Sequence, residues 1–193
     1  MLVAQGDRTG ALAAYREGLD IRHALAAKDP GNTLWQRDVY VSQIKVGNVL
    51  VAQGDRTGAL AAYRAGLDIR RALAAKDPGN TLWQRDVSVS QDRVGDVLVA
   101  QGDLAGALAA YREGLDIRRA LAAKDPGNTE WQTDVVLSLW RLALVGDDPH
   151  GRWNEALLIL NRLKSQGRLT PAQQGWIGQI EGELAKLARA GRQ

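Results

Sequence analysis

The sequence predicts an all-α protein, an α-solenoid of antiparallel helix hairpins closed by a C-terminal capping helix. The main observation is a 48-residue repeat. LVAQGD begins at Leu2, Leu50 and Leu98, and the segments 3–50 and 51–98 are identical at 42 of 48 positions. A third copy starts at Val99 and decays after about Val145. Each unit holds two stretches of helical composition separated by short breakers. A unit of that size buries its apolar face only against its neighbours, so the copies must stack.

The elements follow in order from their punctuation. Asp7 and Asp55 stand after Gly6 and Gly54, where a short acidic side chain caps the first turn of a helix. The segments they open, about 7–28 and 56–76, are rich in Ala and Leu. Asp77-Pro78-Gly79-Asn80 then forms a turn, because proline cannot continue a helix and glycine accepts positive φ. Thr81 is placed to cap the next helix, about 82–101. This gives a lone helix at 7–28, hairpins at 33–76 and 81–124, and a divergent pair at 129–145 and 151–166. Thr170-Pro171 opens a final helix to about Arg189, with Trp176, Ile177, Ile180, Leu184 and Leu187 on one apolar face. The predicted organisation is a single array: a partial repeat at 1–28, repeats at 29–76 and 77–124, a divergent repeat at 125–167, and a cap at 168–193. The helix at 7–28 lacks a partner on one side, which predicts either a longer array or a homo-oligomer formed through that face.

Composition narrows the function. The 25 cationic and 22 anionic side chains leave a net charge of +3 and are interspersed, as on a solvated helix surface; this predicts no nucleic-acid footprint. No apolar stretch approaches the roughly 20 residues of a membrane span, and MLVAQGDRTG lacks the pattern of a secretory signal. With no Cys there are no disulfides or thiolate metal sites, which fits a cytoplasmic protein.

The residues Val46-Gly47, Leu50, Gly54-Asp55, Ala59, Tyr63 and Gly66 stand at the spacings of the tetratricopeptide repeat, and recur as Val94-Gly95, Leu98, Gly102-Asp103, Ala107, Tyr111 and Gly114. The leading fragment supplies Gly6-Asp7, Ala11, Tyr15 and Gly18. The chain therefore resembles the tetratricopeptide repeat family. The usual unit is about 34 residues, so this is a long-helix variant similar to some bacterial arrays and the kinesin light chain. The resemblance implies a right-handed solenoid, small residues that allow close helix approach, and a concave groove that holds a protein or peptide.

The two full copies differ at Glu17/Ala65, His23/Arg71, Tyr40/Ser88, Ile44/Asp92, Lys45/Arg93 and Asn48/Asp96. Positions 40, 44 and 48 form a stripe one turn apart, and the third copy alters them again to Val136, Trp140 and Leu144. The stripe points away from the face of Trp35, Val39, Val46, Val49 and Leu50, so it is expected to face solvent and line the groove, flanked by Arg37 and Arg85. Drift on an idle surface explains variation, but not large apolar residues where charge is usual. Trp140 either lines the groove or packs against the terminal helices. One tetratricopeptide subclass grips a C-terminal carboxylate with Lys and Asn at the positions of Ile44 and Asn48. Asp92 and Asp96 in the next copy disfavour that ligand, and the reading is a groove suited to a segment with apolar anchors and a basic residue.

No catalytic residues, cofactor or metal site are expected. No HExxH, Walker A or GxGxxG arrangement occurs. His23 replaces a surface arginine, and His150 in DDPHG stands in what is read as a helix start. Gly18, Gly66 and Gly114 are read as packing glycines, and Trp35, Trp83 and Trp131 as core anchors. The expected function is a non-catalytic scaffold for protein–protein interaction. The alternative is a structural spacer or self-associating segment of a larger signalling protein, with no groove ligand.

Overall fold

The computed structural model describes residues 7–191. The first six residues of the partial repeat, including Gly6, and the last two of the capping segment lie outside the described residues. Among the described residues eight helices follow in order: α1 (Arg8–Lys28), α2 (Thr33–Gln53), α3 (Arg56–Lys76), α4 (Thr81–Gln101), α5 (Leu104–Lys124), α6 (Thr129–Leu144), α7 (Pro149–Ser165) and α8 (Pro171–Ala190). The described residues form two compact units that divide between Ala107 and Leu108, inside α5.

The helix ends are set by local chemistry. Asp7 and Asp55 accept the amides of Gly10 and Gly58, each at 2.8 Å, as N-caps of α1 and α3. Helices α2 and α4 end at Gly54 and Gly102, both at φ 83°, where a side chain would be strained. The cap of α4 is Asn80, one residue earlier than Thr81. Its side-chain oxygen accepts the Trp83 amide at 3.2 Å, while Thr81 is already helical. Asn32 and Asn128 cap α2 and α6 in the same way. At α8, Thr170 accepts the Gln173 amide and Gln173 returns a contact to the Thr170 amide, a reciprocal capping box.

In the first unit, α1 packs on α2, α2 on α3, and α3 on α4. Connections of two to four residues between long neighbouring helices make each pair antiparallel. Val39, Val46, Val49, Leu50, Ala59, Leu67, Leu73, Val87, Val94 and Leu98 form the core between them. Helices α2 and α3 come close where Gly47 lies under the Tyr63 ring. A Cβ added at Gly47 would come within 2.4 Å of the ring. Gly66, on the facing helix, leaves ordinary room, with the Gln43 Cβ at 3.4 Å and the Tyr40 carbonyl oxygen at 3.5 Å. The helix-permitting glycine of the hairpin is therefore Gly47.

In the second unit, α6 packs on α7 and α7 on α8. Arg118 of α5 donates to the Ser138 hydroxyl of α6 at 2.6 Å. Leu139, Leu142, Trp153, Leu160, Leu163, Ile177 and Ile180 form this core. Of the predicted apolar face of α8, Ile177 and Ile180 are buried, Trp176 and Leu184 are half-buried, and Leu187 is at the edge. Asp147, before α7, receives Arg112 of α5 and Arg152 of α7. Hydrogen bonds from Arg112 first, then from Arg152, hold its carboxyl below the ordinary carboxylate range. Asp148 caps α7 by accepting the Gly151 amide, and His150 lies beside Asn154 on the surface.

Candidate functional site

The variable stripe is not a solvent-facing line. Tyr40, Ser88, Asp92 and Val136 are buried, and Ile44 is half-buried. The expectation that they line an open groove is corrected for those four. In a stack of hairpins a helix packs on both sides, and periodicity separates two faces without saying what covers the second. Arg37, Asn48, Asp96 and Leu144 are exposed, and Arg85 is half-buried. Trp140 is half-buried and meets the Trp153 ring of α7 edge-on, with ring centroids 4.9 Å apart, so it packs against the terminal helices.

Tyr40 shows what the stripe does at its N-terminal end. Its hydroxyl donates to the Asp86 carboxylate of α4 at 2.9 Å. The Arg70 guanidinium of α3 lies over its ring, 4.2 Å from the centroid. Arg70 also donates to the Asp86 carbonyl oxygen at 3.1 Å and to the Ser90 hydroxyl. Three helices thus meet at one polar junction. Burial raises the Tyr40 pKa above its ordinary value, reinforced by the Asp86 carboxylate. Burial lowers that of Arg70, opposed by Asp86. In α1 the matching Arg22 turns back to the Gly18 carbonyl oxygen of its own helix at 3.1 Å.

The other end of the stripe opens onto two hollows built from the same columns of the repeat. One, of about 200 Å³, is lined by Arg8, Tyr15, Lys45, Asn48, Val49 and Ala52. The other, of about 340 Å³, is lined by the residues 48 positions later, Arg56, Tyr63, Arg93, Asp96, Val97 and Ala100, with Val51 and Gly54 at its edge. Each has an aliphatic wall from the last turns of α2 or α4, a tyrosine and two cations. Lys45 Nζ lies 5.7 Å from the Tyr15 ring centroid, and the Arg93 guanidinium 5.9 Å from that of Tyr63. Asn48 joins the two hollows, since its side-chain oxygen accepts Tyr63 Oη at 2.7 Å and Arg93 Nη1 at 3.2 Å. Arg8 donates to the Ala52 carbonyl oxygen at 2.8 Å. Burial raises the Tyr63 pKa, opposed by the neighbouring Arg93.

Of the sequence-predicted groove residues, only Asn48 and Asp96 line these hollows. Arg8, Tyr15, Lys45, Arg56, Tyr63 and Arg93 were missed. Their signal was present: two cationic columns and an aromatic one recur at the repeat period. Four of the six are unchanged between copies, the two tyrosines standing among the packing positions of the repeat pattern, and Lys45/Arg93 is a swap of like charge.

The first unit is a helical repeat that carries two hollows of matching lining. Residues 87–126 match the sequence profile of the tetratricopeptide repeat, and residues 39–78 carry nearly the same sequence one period earlier. Residues 87–126 are thus a tetratricopeptide repeat, a motif that generally mediates protein–protein interaction. The structure of the chain is similar to the crystal structure of BtubC (BKLC) from P. vanneervenii, with 14% identity, a TM-score of 0.49, and coverage of 95% of this chain and 84% of that one. No curated protein matches the sequence. Among the described residues no helix is long and apolar enough to cross a membrane, and no group of three or more His, Asp or Glu is arranged to hold a metal ion.

Proposed function

We propose that the chain is a non-catalytic module that holds a protein segment across the ends of α2 and α4, with side chains of the segment entering the two hollows. The observation that carries this is the recurrence of one lining in two places a repeat apart. A ligand running along the helices meets equivalent sites in succession, which is how a repeat array gains affinity from weak contacts. Ala52 and Ala100 line the hollows, are exposed, and lie in the last turns of their helices. Filling both with Ala52→Trp and Ala100→Trp removes the space and leaves the core alone. Peptides selected from a displayed random library on the wild-type protein are expected to lose at least tenfold in affinity for the double variant, at unchanged helicity and melting temperature. Selected peptides that bind both proteins equally would overturn this reading.

A second reading, self-association, is favoured by α1. It repeats α3 except at Glu17/Ala65 and His23/Arg71. In α3 the Leu73 side chain is buried, while its counterpart Leu25 in α1 is exposed and Ile21 is 58% exposed. Under this reading sedimentation equilibrium shows a mass that rises with concentration, and Leu25→Glu returns it to that of the monomer. A monomeric mass at all concentrations eliminates it.

A further inference from the structure

We infer that the segment bound in the two hollows is acidic, presenting Asp or Glu side chains to them, and that the column of Asn48 and Asp96 makes the first hollow the stronger anion site. The inference rests on the groove reading above and adds the chemistry of the ligand. It also replaces the sequence expectation of a basic guest, because Asp92, which supported that expectation, is buried.

The lining decides the charge. The first hollow carries Arg8 and Lys45 with no carboxylate among its lining residues; the second carries Arg56 and Arg93 against the single carboxylate of Asp96. Both are therefore net cationic, the first by one charge more. The cations are also held where they can be used. Lys45 and Arg93 lie by tyrosine rings, which cover the side chain without neutralising the charge. Arg8 spends one donor on the Ala52 carbonyl oxygen, and a guanidinium has five. A carboxylate entering beside Val49 or Val97 meets two charged donors over an apolar wall, the setting in which charge-assisted hydrogen bonds are strong. A lysine or arginine guest would meet like charge in the same place, which costs affinity and gives discrimination.

The Asn48/Asp96 column allows a test that spares the fold. Asn48 acts through its side-chain oxygen, an acceptor for Tyr63 and Arg93. Asn48→Asp keeps that acceptor and adds one negative charge to the lining of the first hollow, next to Arg93 of the second, while Asp96→Asn removes one from the second. The probes are fluorescein-labelled, N-acetylated and C-amidated twelve-residue peptides of Ser and Ala carrying two Glu at separations of two to eight residues. Matched series carry Gln or Lys in place of Glu. By fluorescence anisotropy, the Glu series is expected to bind at least tenfold tighter than the Gln series, and the Lys series not at all. Asn48→Asp is expected to weaken the best Glu peptide about tenfold and Asp96→Asn to tighten it several-fold, with binding weakened by salt. A Gln or Lys series that binds as well as Glu, or Glu binding indifferent to Asn48→Asp and Asp96→Asn, overturns the inference. A requirement for a free C-terminal carboxylate in place of the Glu side chains overturns it as well. If neutral or basic peptides bind and lose affinity in the Ala52→Trp/Ala100→Trp protein, the groove reading stands and its acidic ligand falls. If no series senses the tryptophans, both fall.

Discussion

Replacing Gly47 with alanine is expected to lower the stability of the first unit by about 2 kcal/mol, whereas Gly66→Ala is expected to be neutral or to raise it by up to about 1 kcal/mol. Both glycines lie inside helices, where alanine is intrinsically better by about 1 kcal/mol. The difference is what each methyl group meets. At Gly47 it comes within 2.4 Å of Tyr63 Cε1 and 2.6 Å of Cδ1, and that ring is buried with its hydroxyl tied to Asn48. Moving the ring breaks the hydrogen bond, and leaving it forces α2 and α3 apart, an overpacking cost of roughly 1–3 kcal/mol or more. At Gly66 the nearest atoms are at ordinary contact distance. Urea denaturation of both variants checks the pair. A double-mutant cycle with Tyr63→Leu, which removes the obstructing ring atoms, should show the Gly47→Ala cost largely relieved. Equal effects at the two glycines would show that the close approach has been misplaced.

The second large effect is expected at Arg70. Arg70→Ala should cost about 3 kcal/mol, in the range for removing one partner of a buried ionic cluster. The side chain is only 7% exposed and reaches Tyr40, Ser90 and the backbone of Asp86 together. Its loss leaves the Tyr40 ring without its cover and the Asp86 carbonyl without one donor. Tyr40→Phe keeps the ring and removes only the hydroxyl contact to Asp86, so it should cost about 1 kcal/mol. Arg22→Ala, at the matching place in α1, should cost less than 1 kcal/mol, since among the described residues that arginine bonds to its own helix in a partly buried position. Denaturation midpoints give the order, and amide exchange should show the Arg70→Ala loss concentrated in α3 and α4. A small effect at Arg70 with a large one at Arg22 would contradict the junction.

The helices were largely legible because their ends are written in residues with few conformational options. Gly54, Gly102 and Pro78 stop helices, and Asp55 and Thr170 start them, for reasons that need no tertiary context. The cap at Asn80 was displaced by one residue because Asn and Thr both accept an amide, and only the turn geometry decides between them. The stripe was a harder case. Tyr40 and Val136, large apolar residues off the hairpin core, are expected to line a groove, yet both are buried. What the sequence does not carry is which neighbour covers a second apolar face. The hollows were illegible for another reason. Arg8, Tyr15, Lys45 and Ala52 come together from two helices, and each alone is an ordinary surface or packing residue. The differences between copies mark other positions, because a repeated lining is made chiefly of what stays the same.

The Tyr40 junction has a consequence for how the chain finds its own order. Tandem segments alike at 42 of 48 positions offer a nascent polypeptide nearly equivalent wrong partners, and adjoining near-identical repeats are prone to misassembly. Tyr40 with Asp86 makes the α2–α4 seam chemically unlike one in which serine, as at position 88, stands in its place. A handful of divergent side chains at the joints thus serves as an address label, telling each hairpin which sibling it belongs beside.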